Sequence, residues 1–170
     1  NTSRDVVYNI KTTDDILNHS NEDIFLRIGH NKRIFVVVDK KVWNLYGNKI
    51  ESYFIHYKLD ARFCLVDGVE KNKSSKTLFY ILEEMEHFGI SRNEIIIGMG
   101  GGVVLDMVGM AASMYRRGIP YIRIPTTLLG IIDVSIAAKV GINFLGRRNR
   151  LGGYYPPFYS LLDKFFIKTQ

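Results

Sequence analysis

Cysteine is nearly absent. The one thiol, Cys64, lies in the apolar run ARFCLV and has no second cysteine to pair with. That excludes an internal disulfide, reads the thiol as a small packed hydrophobe, and suits a reducing, cytoplasmic compartment. Long hydrophobic runs are lacking too. The nearest is IIIGMGGGVVLDMVGMAASM, where glycines and Asp106 break the roughly 20 apolar residues that a membrane span needs. No membrane association is expected. Asn1 to Asn9 is polar and charged and does not read as a signal peptide. The net charge of +6 comes from dispersed residues, among them Lys40, Lys41, Lys49, Lys58, Lys71, Lys73, Lys76, Arg147, Arg148 and Arg150. They form no basic stripe with interleaved aromatics, so nucleic acid is not an expected partner. Metal-ligand spacing is absent as well. His19, His30, His56 and His87 stand apart from one another and from Cys64, and all four read as surface or packed residues.

What is present is enough for one domain with a real core: 170 residues, of which 46% are apolar, and no low-complexity segment. Val6 to Ile10 alternates weakly and reads as a first strand, suited to an edge. Between Thr12 and Ile28 a short helix capped by Thr13 or Asp14 is expected in an otherwise irregular stretch. RIFVVV, from Arg33, is a continuous β-branched and aromatic run, as in a strand buried on both faces. It ends in Asp39, either an acid at a ligand-binding strand end or the cap of the helical pattern that follows; the two roles are compatible. ARFCLV is the next strand, and Asp67-Gly68 turns the chain. A helix begins at Ser74 or Ser75 and ends at Gly89. EIII leads into a glycine cluster and YIRI into Pro125-Thr126-Thr127. Strand and helix alternate, which predicts an α/β fold: a Rossmann-like parallel sheet with helices on both faces. Beyond Leu128 the pattern becomes short and polar, reading as loops and a small hairpin. SLLDKFFIKT then reads as the start of a new helix or turn.

The stretch from Gly98 to Pro157 organises the chain. GMGGGVVLD has the shape of strand, tight turn and helix N-terminus. Such a turn presents backbone N–H groups and the positive end of a helix to an anion. A glycine cluster alone could equally be only a turn. Around it, Asp106, Arg117, Asp133, Lys139, Asn143, Arg148 and Asn149 are more polar residues than a core requires.

The order GGGVVxD, RRG, PTTLL, DxSxxxK, N, RNRLG and YYPP resembles the sugar phosphate cyclase family, which includes the 3-dehydroquinate synthases. NRLGGYYPP, with YRRGIPYIRIPTTLLG before it, is more similar to the branch of 2-epi-5-epi-valiolone synthases, which cyclise sedoheptulose 7-phosphate. The resemblance runs from about Arg33 to the last residue and covers the N-terminal half of a family member. It implies an NAD-binding α/β domain over residues 1–157, with 158–170 starting the connection to a C-terminal α-helical, metal-binding domain. The implied chemistry is NAD- and metal-dependent: a seven-carbon sugar phosphate is transiently oxidised, loses phosphate, is reduced and closes by an intramolecular aldol step.

Carried over position by position, the resemblance implies that Asp39 holds the adenosine ribose. Glu70 and Lys73 make further NAD contacts. Gly101, Gly102 and Val103 pass under the diphosphate, with Asp106 one turn on. Thr126, Thr127 and Leu129 contact the nicotinamide half, and Arg148, Phe166 and Thr169 match further NAD positions. Arg117, Asp133, Lys139 and Asn149 face the substrate. Taken singly, each has a plainer reading as a cap or a solvated charge. There are departures. Arg148 stands where lysine is usual, and a guanidinium binds differently. Ala137-Ala138 replace glycines usual in dehydroquinate synthases, and Lys41 replaces a small polar residue. The family's metal ligands, a glutamate and two histidines, fall beyond residue 170. The resemblance therefore implies no metal site here, a zinc or cobalt ion held by a C-terminal half in the same or a separate chain, and a dimer of the complete unit. The alternatives are 3-dehydroquinate synthase proper, a non-catalytic NAD-binding or regulatory module, and the iron-dependent alcohol or glycerol dehydrogenases. The RNRLG block argues against the last.

Overall fold

A computed structural model describes residues 7, 9–29 and 32–169 of the chain. Its centre is β2 (Arg33–Asp39), whose residues from Ile34 to Asp39 are all buried. The period of two along this strand divides its side chains between two cores. Ile34, Val36 and Val38 pack on one face of the sheet, with Ile50, Tyr53 and Phe54. Phe35 and Val37 pack on the other, with Leu78, Ile81, Val104 and Val108. Helix α2 (Lys40–His56) covers the first face. Helices α3 (Ser75–Phe88) and α4 (Gly102–Met114) cover the second. Asp39 caps α2 by accepting from Lys41 N at 2.9 Å, so strand and helix meet at one residue. Ser74 caps α3, and Gly89, in the left-handed conformation, ends it.

All six strands of the main sheet are parallel. Its order is β1 (Asn9–Thr13), β8 (Tyr159–Asp163), β5 (Tyr121–Pro125), β4 (Ile96–Gly100), β2 and β3 (Asp60–Val66). The chain runs outward from β2 to β3, then returns to the other side of β2 for β4 and continues away. The strand order therefore reverses between β2 and β4, and a crevice opens beyond their C-terminal ends. A separate hairpin, β6 (Lys139–Phe144) with β7 (Arg147–Tyr154), packs its buried side on α4. Gly109 permits that approach, since a Cβ there would lie 2.4 Å from Val140 Cγ1. No helix among the described residues is long and apolar enough to cross a membrane.

The parallel sheet, the central strands, the three long helices and the hairpin agree with the sequence reading. Three expectations differ. The first strand is Asn9–Thr13, not Val6 to Ile10; it does lie at an edge, and Val6 and Tyr8 fall outside the described residues. Thr13 ends that strand and caps no helix. The short helix α1 (Phe25–Ile28) starts later, from Ile24, without a side-chain cap. The segment read as a new helix or turn is β8, inserted between β1 and β5, with only Lys164–Thr169 coiling into a tight helical turn. Partners on both sides settle its conformation: Leu161 is fully buried, and Asp163 at its end accepts from Ile16 N at 2.7 Å and Phe165 N at 2.8 Å.

Cys64, buried in β3, has its thiol pushed up to about 12, first by burial and then by Glu84. Reactivity requires the thiolate. Iodoacetamide at pH 8 should leave the folded chain unmodified for hours and alkylate it within minutes in 8 M urea. Equal labelling rates in the two states, read by mass spectrometry, would contradict this environment.

Candidate functional site

Asp39 stands at the C-terminal end of β2, and Gly100 to Gly102 lead from β4 into α4. One oxygen of Asp39 accepts from Lys41 N. The other faces Gly68, where a Cβ would lie 2.1 Å from Oδ2. A side chain at position 68 would thus displace the carboxylate, so the glycine keeps its place open. Helix α4 starts from Gly101 with no side-chain cap. The amides of its first turn have no intrahelical acceptor and point toward the crevice end of the sheet. A cleft of about 430 Å³ lies alongside, lined by Asp39, Leu45, Tyr46, Thr126, Thr127, Leu129 and Phe166. Thr126 N donates to Gly100 O at 3.0 Å, which ties the ends of β4 and β5 together. Thr127 Oγ1 accepts from Gly130 N at 3.0 Å and so starts the next turn. Phe166 is buried edge-on to Tyr46 at 5.4 Å. A planar, partly polar molecule with an anionic centre fits this combination: an acid for hydroxyls, unmet amides for an anion, and apolar walls.

One helical turn into α4, Asp106 begins a second arrangement. Lys73, only 6% exposed, donates through Nζ to Asp106 Oδ2 at 2.5 Å and Asn149 Oδ1 at 2.6 Å. Asn149 N donates to Asn143 Oδ1 at 2.9 Å, and Asn143 Nδ2 donates to Glu70 Oε1 at 2.8 Å. The exposed Arg148 guanidinium lies 3.7 Å from the same Glu70 oxygen. Glu70, Lys73, Asp106, Asn149 and Arg148, separate in sequence, thus form one network. Burial raises the Asp106 carboxyl above its ordinary value, while Lys73 pulls it back down. A hollow of about 420 Å³ opens beside the network, lined by Asp106, Lys139, Asn149, Arg150 and Tyr154 among others. Asn149 adopts a positive φ of 51°, which asparagine tolerates better than most residues.

Not every expected residue joins. Val103 lies in the first turn of α4, half-buried, as the glycine-turn reading requires. Asp133 is exposed on a wide helical turn, Gly130–Val134, and lines neither cleft. Thr169 lies in the closing Lys164–Thr169 turn. Arg117 is the clearest departure. It follows the far end of α4, about 20 Å from the glycine turn at 1.5 Å per residue. There it lines a different hollow, of about 760 Å³, with Tyr154, Tyr155 and Phe158. Within one chain it does not meet Lys139 and Asn149. The sequence reading marked Asn143 as one polar residue too many for a core without giving it a role, and it read Gly68 only as a turn. It passed over Arg123, whose signal is a lone charge inside the apolar strand YIRI.

Among the described residues no group of three or more His, Cys, Asp or Glu could hold a metal ion. His19 and His56 stack face to face with centroids 4.3 Å apart, and His19 Nε2 lies 2.9 Å from Ser52 Oγ. His87 is exposed on α3. His30 lies outside the described residues.

Residues 63–170 match the family model of the 3-dehydroquinate synthase N-terminal domain. A 2-epi-5-epi-valiolone synthase from Actinomyces sp. is 39% identical over 170 residues, covering 96% of this chain and 44% of its own. The 2-epi-5-epi-valiolone synthase of Streptomyces hygroscopicus subsp. jinggangensis, solved with NAD+ and Zn2+ bound, superposes with a TM-score of 0.91 at 37% identity, over 98% of this chain and 45% of its own. A 2-deoxy-scyllo-inosose synthase complexed with carbaglucose-6-phosphate, NAD+ and Co2+ gives a TM-score of 0.82 at 27% identity, over 94% and 44%. The chain thus spans a little under half the length of these relatives.

Lys73 is the strongest influence opposing the upward shift of Asp106. Lys73→Met should raise the Asp106 carboxyl further, read by carbon-detected NMR titration. The folded variant then holds that proton more tightly than the unfolded chain does. Its stability should fall more steeply than the parent's as pH rises through the carboxylate range. An unchanged midpoint would mean that the ion pair does not control this group.

Proposed function

We propose that this chain, which belongs to the 3-dehydroquinate synthase N-terminal family, is the NAD-binding half of a sugar phosphate cyclase acting on sedoheptulose 7-phosphate. The observation that carries the reading is the adjacency of two arrangements on one helix. The first turn of α4 closes the crevice that Asp39 flanks, and its next turn carries Asp106 into the Lys73–Asn149 network.

The crevice fits NAD on its own geometry, because the Gly68 gap leaves Asp39 Oδ2 clear for a ribose hydroxyl. The amides after Gly101 receive the diphosphate, and Thr126, Thr127 and Leu129 border the nicotinamide half. When bound, NAD supplies a hydride acceptor that later returns the hydride. The chain's own residues position and polarise. Lys139 offers an exposed cation beside the second hollow for the substrate's anionic groups. Lys73, already shared between Asp106 and Asn149, keeps its donors oriented and holds Asp106 toward its charged form. Asn149, held through Oδ1 by Lys73, borders the second hollow with Lys139, and Asp133, exposed on the Gly130–Val134 turn, accepts from substrate hydroxyls. These are contributions of orientation and electrostatics rather than of a new reactive group.

A divalent metal finds no donor cluster among the described residues, and no step here runs through one. In this reading the metal-binding half lies in a further C-terminal segment or a separate chain, and the complete unit is a dimer. The NRLGGYYPP block favours the sedoheptulose 7-phosphate branch, and Ala137-Ala138 weigh against 3-dehydroquinate synthase itself.

Two measurements test this. NAD should bind in equilibrium dialysis, and Asp39→Asn should weaken binding roughly 10- to 100-fold, the cost of one charge-assisted hydrogen-bond site. With its C-terminal half present, the protein should release phosphate from sedoheptulose 7-phosphate and not from the substrate of 3-dehydroquinate synthase. NAD binding that is indifferent to Asp39, or phosphate release from neither sugar, would overturn the corresponding part.

A further inference from the structure

Strand β5 contains one charged residue, Arg123, and its side chain is fully buried. Its Nη1 donates to the carbonyls of Val134 and Ala137 at 2.5 and 2.6 Å. Nε and Nη2 have no hydrogen-bond partner among the described residues, and no carboxylate there pairs with it. Its guanidinium carbon lies over the Tyr121 ring, 5.4 Å from the centroid. A buried, incompletely satisfied guanidinium costs stability, and a well-packed apolar residue would serve the core better. Its purpose is therefore to be sought in what it holds.

Ser160, directly opposite Arg123 in the β5–β8 register, is buried as well and donates to Ser135 O at 2.6 Å. Two neighbouring side chains of the sheet thus grip three carbonyls of one short turn, those of Val134, Ser135 and Ala137. Asp133 begins that turn, and Lys139 follows it as the first residue of β6. Arg123 also acts on Asp106, as a charge favouring the carboxylate after Lys73.

We propose that Arg123, assisted by Ser160, is a positioning residue: its terminal Nη1, shared between two carbonyls, clamps the Val134–Ala137 turn onto the sheet and so fixes where Asp133 and Lys139 stand. The proposal rests on the cyclase reading for the role of those two residues, while the clamp itself is a property of the folded chain. Reach is the essential feature: both bonds come from Nη1, which stands one bond farther from Cα than a lysine ammonium, so lysine does not bring its nitrogen to the two carbonyls.

The test compares Arg123→Gln, Arg123→Lys and Ser160→Ala with the parent, each first shown to fold by circular dichroism. Amide hydrogen exchange is read at Ser135, Ile136 and Ala137, which donate within the turn to Gly130 O, Asp133 O and Val134 O. Exchange there should quicken at least about 10-fold in both Arg123 variants and about 3-fold in Ser160→Ala, while amides of β4 and α4 keep the parent's rates. In the complete cyclase, kcat should drop at least about 10-fold with NAD affinity held within about 2-fold, and Arg123→Lys should not restore it. Unchanged exchange in the turn, a uniform rise across the chain, or full rescue by lysine would each overturn the clamp. If neither Arg123 variant folds, Ser160→Ala decides by the same local readout. A parent protein that releases no phosphate from the sugar would sink the cyclase reading, and the exchange data would still decide the clamp.

Discussion

Parallel pairing of β2 with β3 on one side and β4 on the other is the constraint on which everything else depends. Parallel pairing brings crossover helices with it, and α2 on one face with α3 and α4 on the other bury β2 on both sides, which is why Ile34 to Val38 has no polar member. The same pairing aligns the ends of β2 and β4 and leaves a crevice between chain segments that depart in opposite directions. The carboxylate of Asp39, the gap at Gly68 and the uncapped start of α4 are brought together by that reversal and by nothing local to any one of them.

Charge around the crevice is arranged with economy. Lys73 is nearly inaccessible yet meets an acid and an amide, so its burial is compensated. Asp106 feels the opposite tendencies of desolvation and pairing, and the first prevails. The hairpin connects to this pair through Asn149 and Asn143, two side chains that hydrogen-bond without adding charge. The network thus has one cation and one acid at its centre, two neutral asparagines as spacers, and the Glu70–Arg148 pair toward solvent.

Much of this was legible in the sequence. RIFVVVD announces a buried strand ending in an acid, because only a two-sided strand tolerates so unbroken a run. The glycine cluster before a helical period announces an uncapped helix start. The antiparallel hairpin was readable from short polar segments flanking a turn. What was not legible depended on partners distant in sequence. SLLD is too short to carry a period, and it is a strand only because β1 and β5 offer edges on either side. Arg117 could be assigned by resemblance but not located, because the length of α4 separates it from the residues it was grouped with. Arg123 was visible as an odd charge in YIRI, but its meaning lies in carbonyls more than ten residues on.

The hairpin also raises a matter of solubility. Every residue of β7 is exposed, and the two-stranded sheet leaves its outer edge without a strand partner among the described residues. Such an edge is a template for another chain's backbone, and clustered like charges are a common defence. Arg147, Arg148 and Arg150 supply that defence, and Arg150 also borders the 420 Å³ hollow. The sequence of β7 is therefore constrained by its open edge as well as by the hollow it lines.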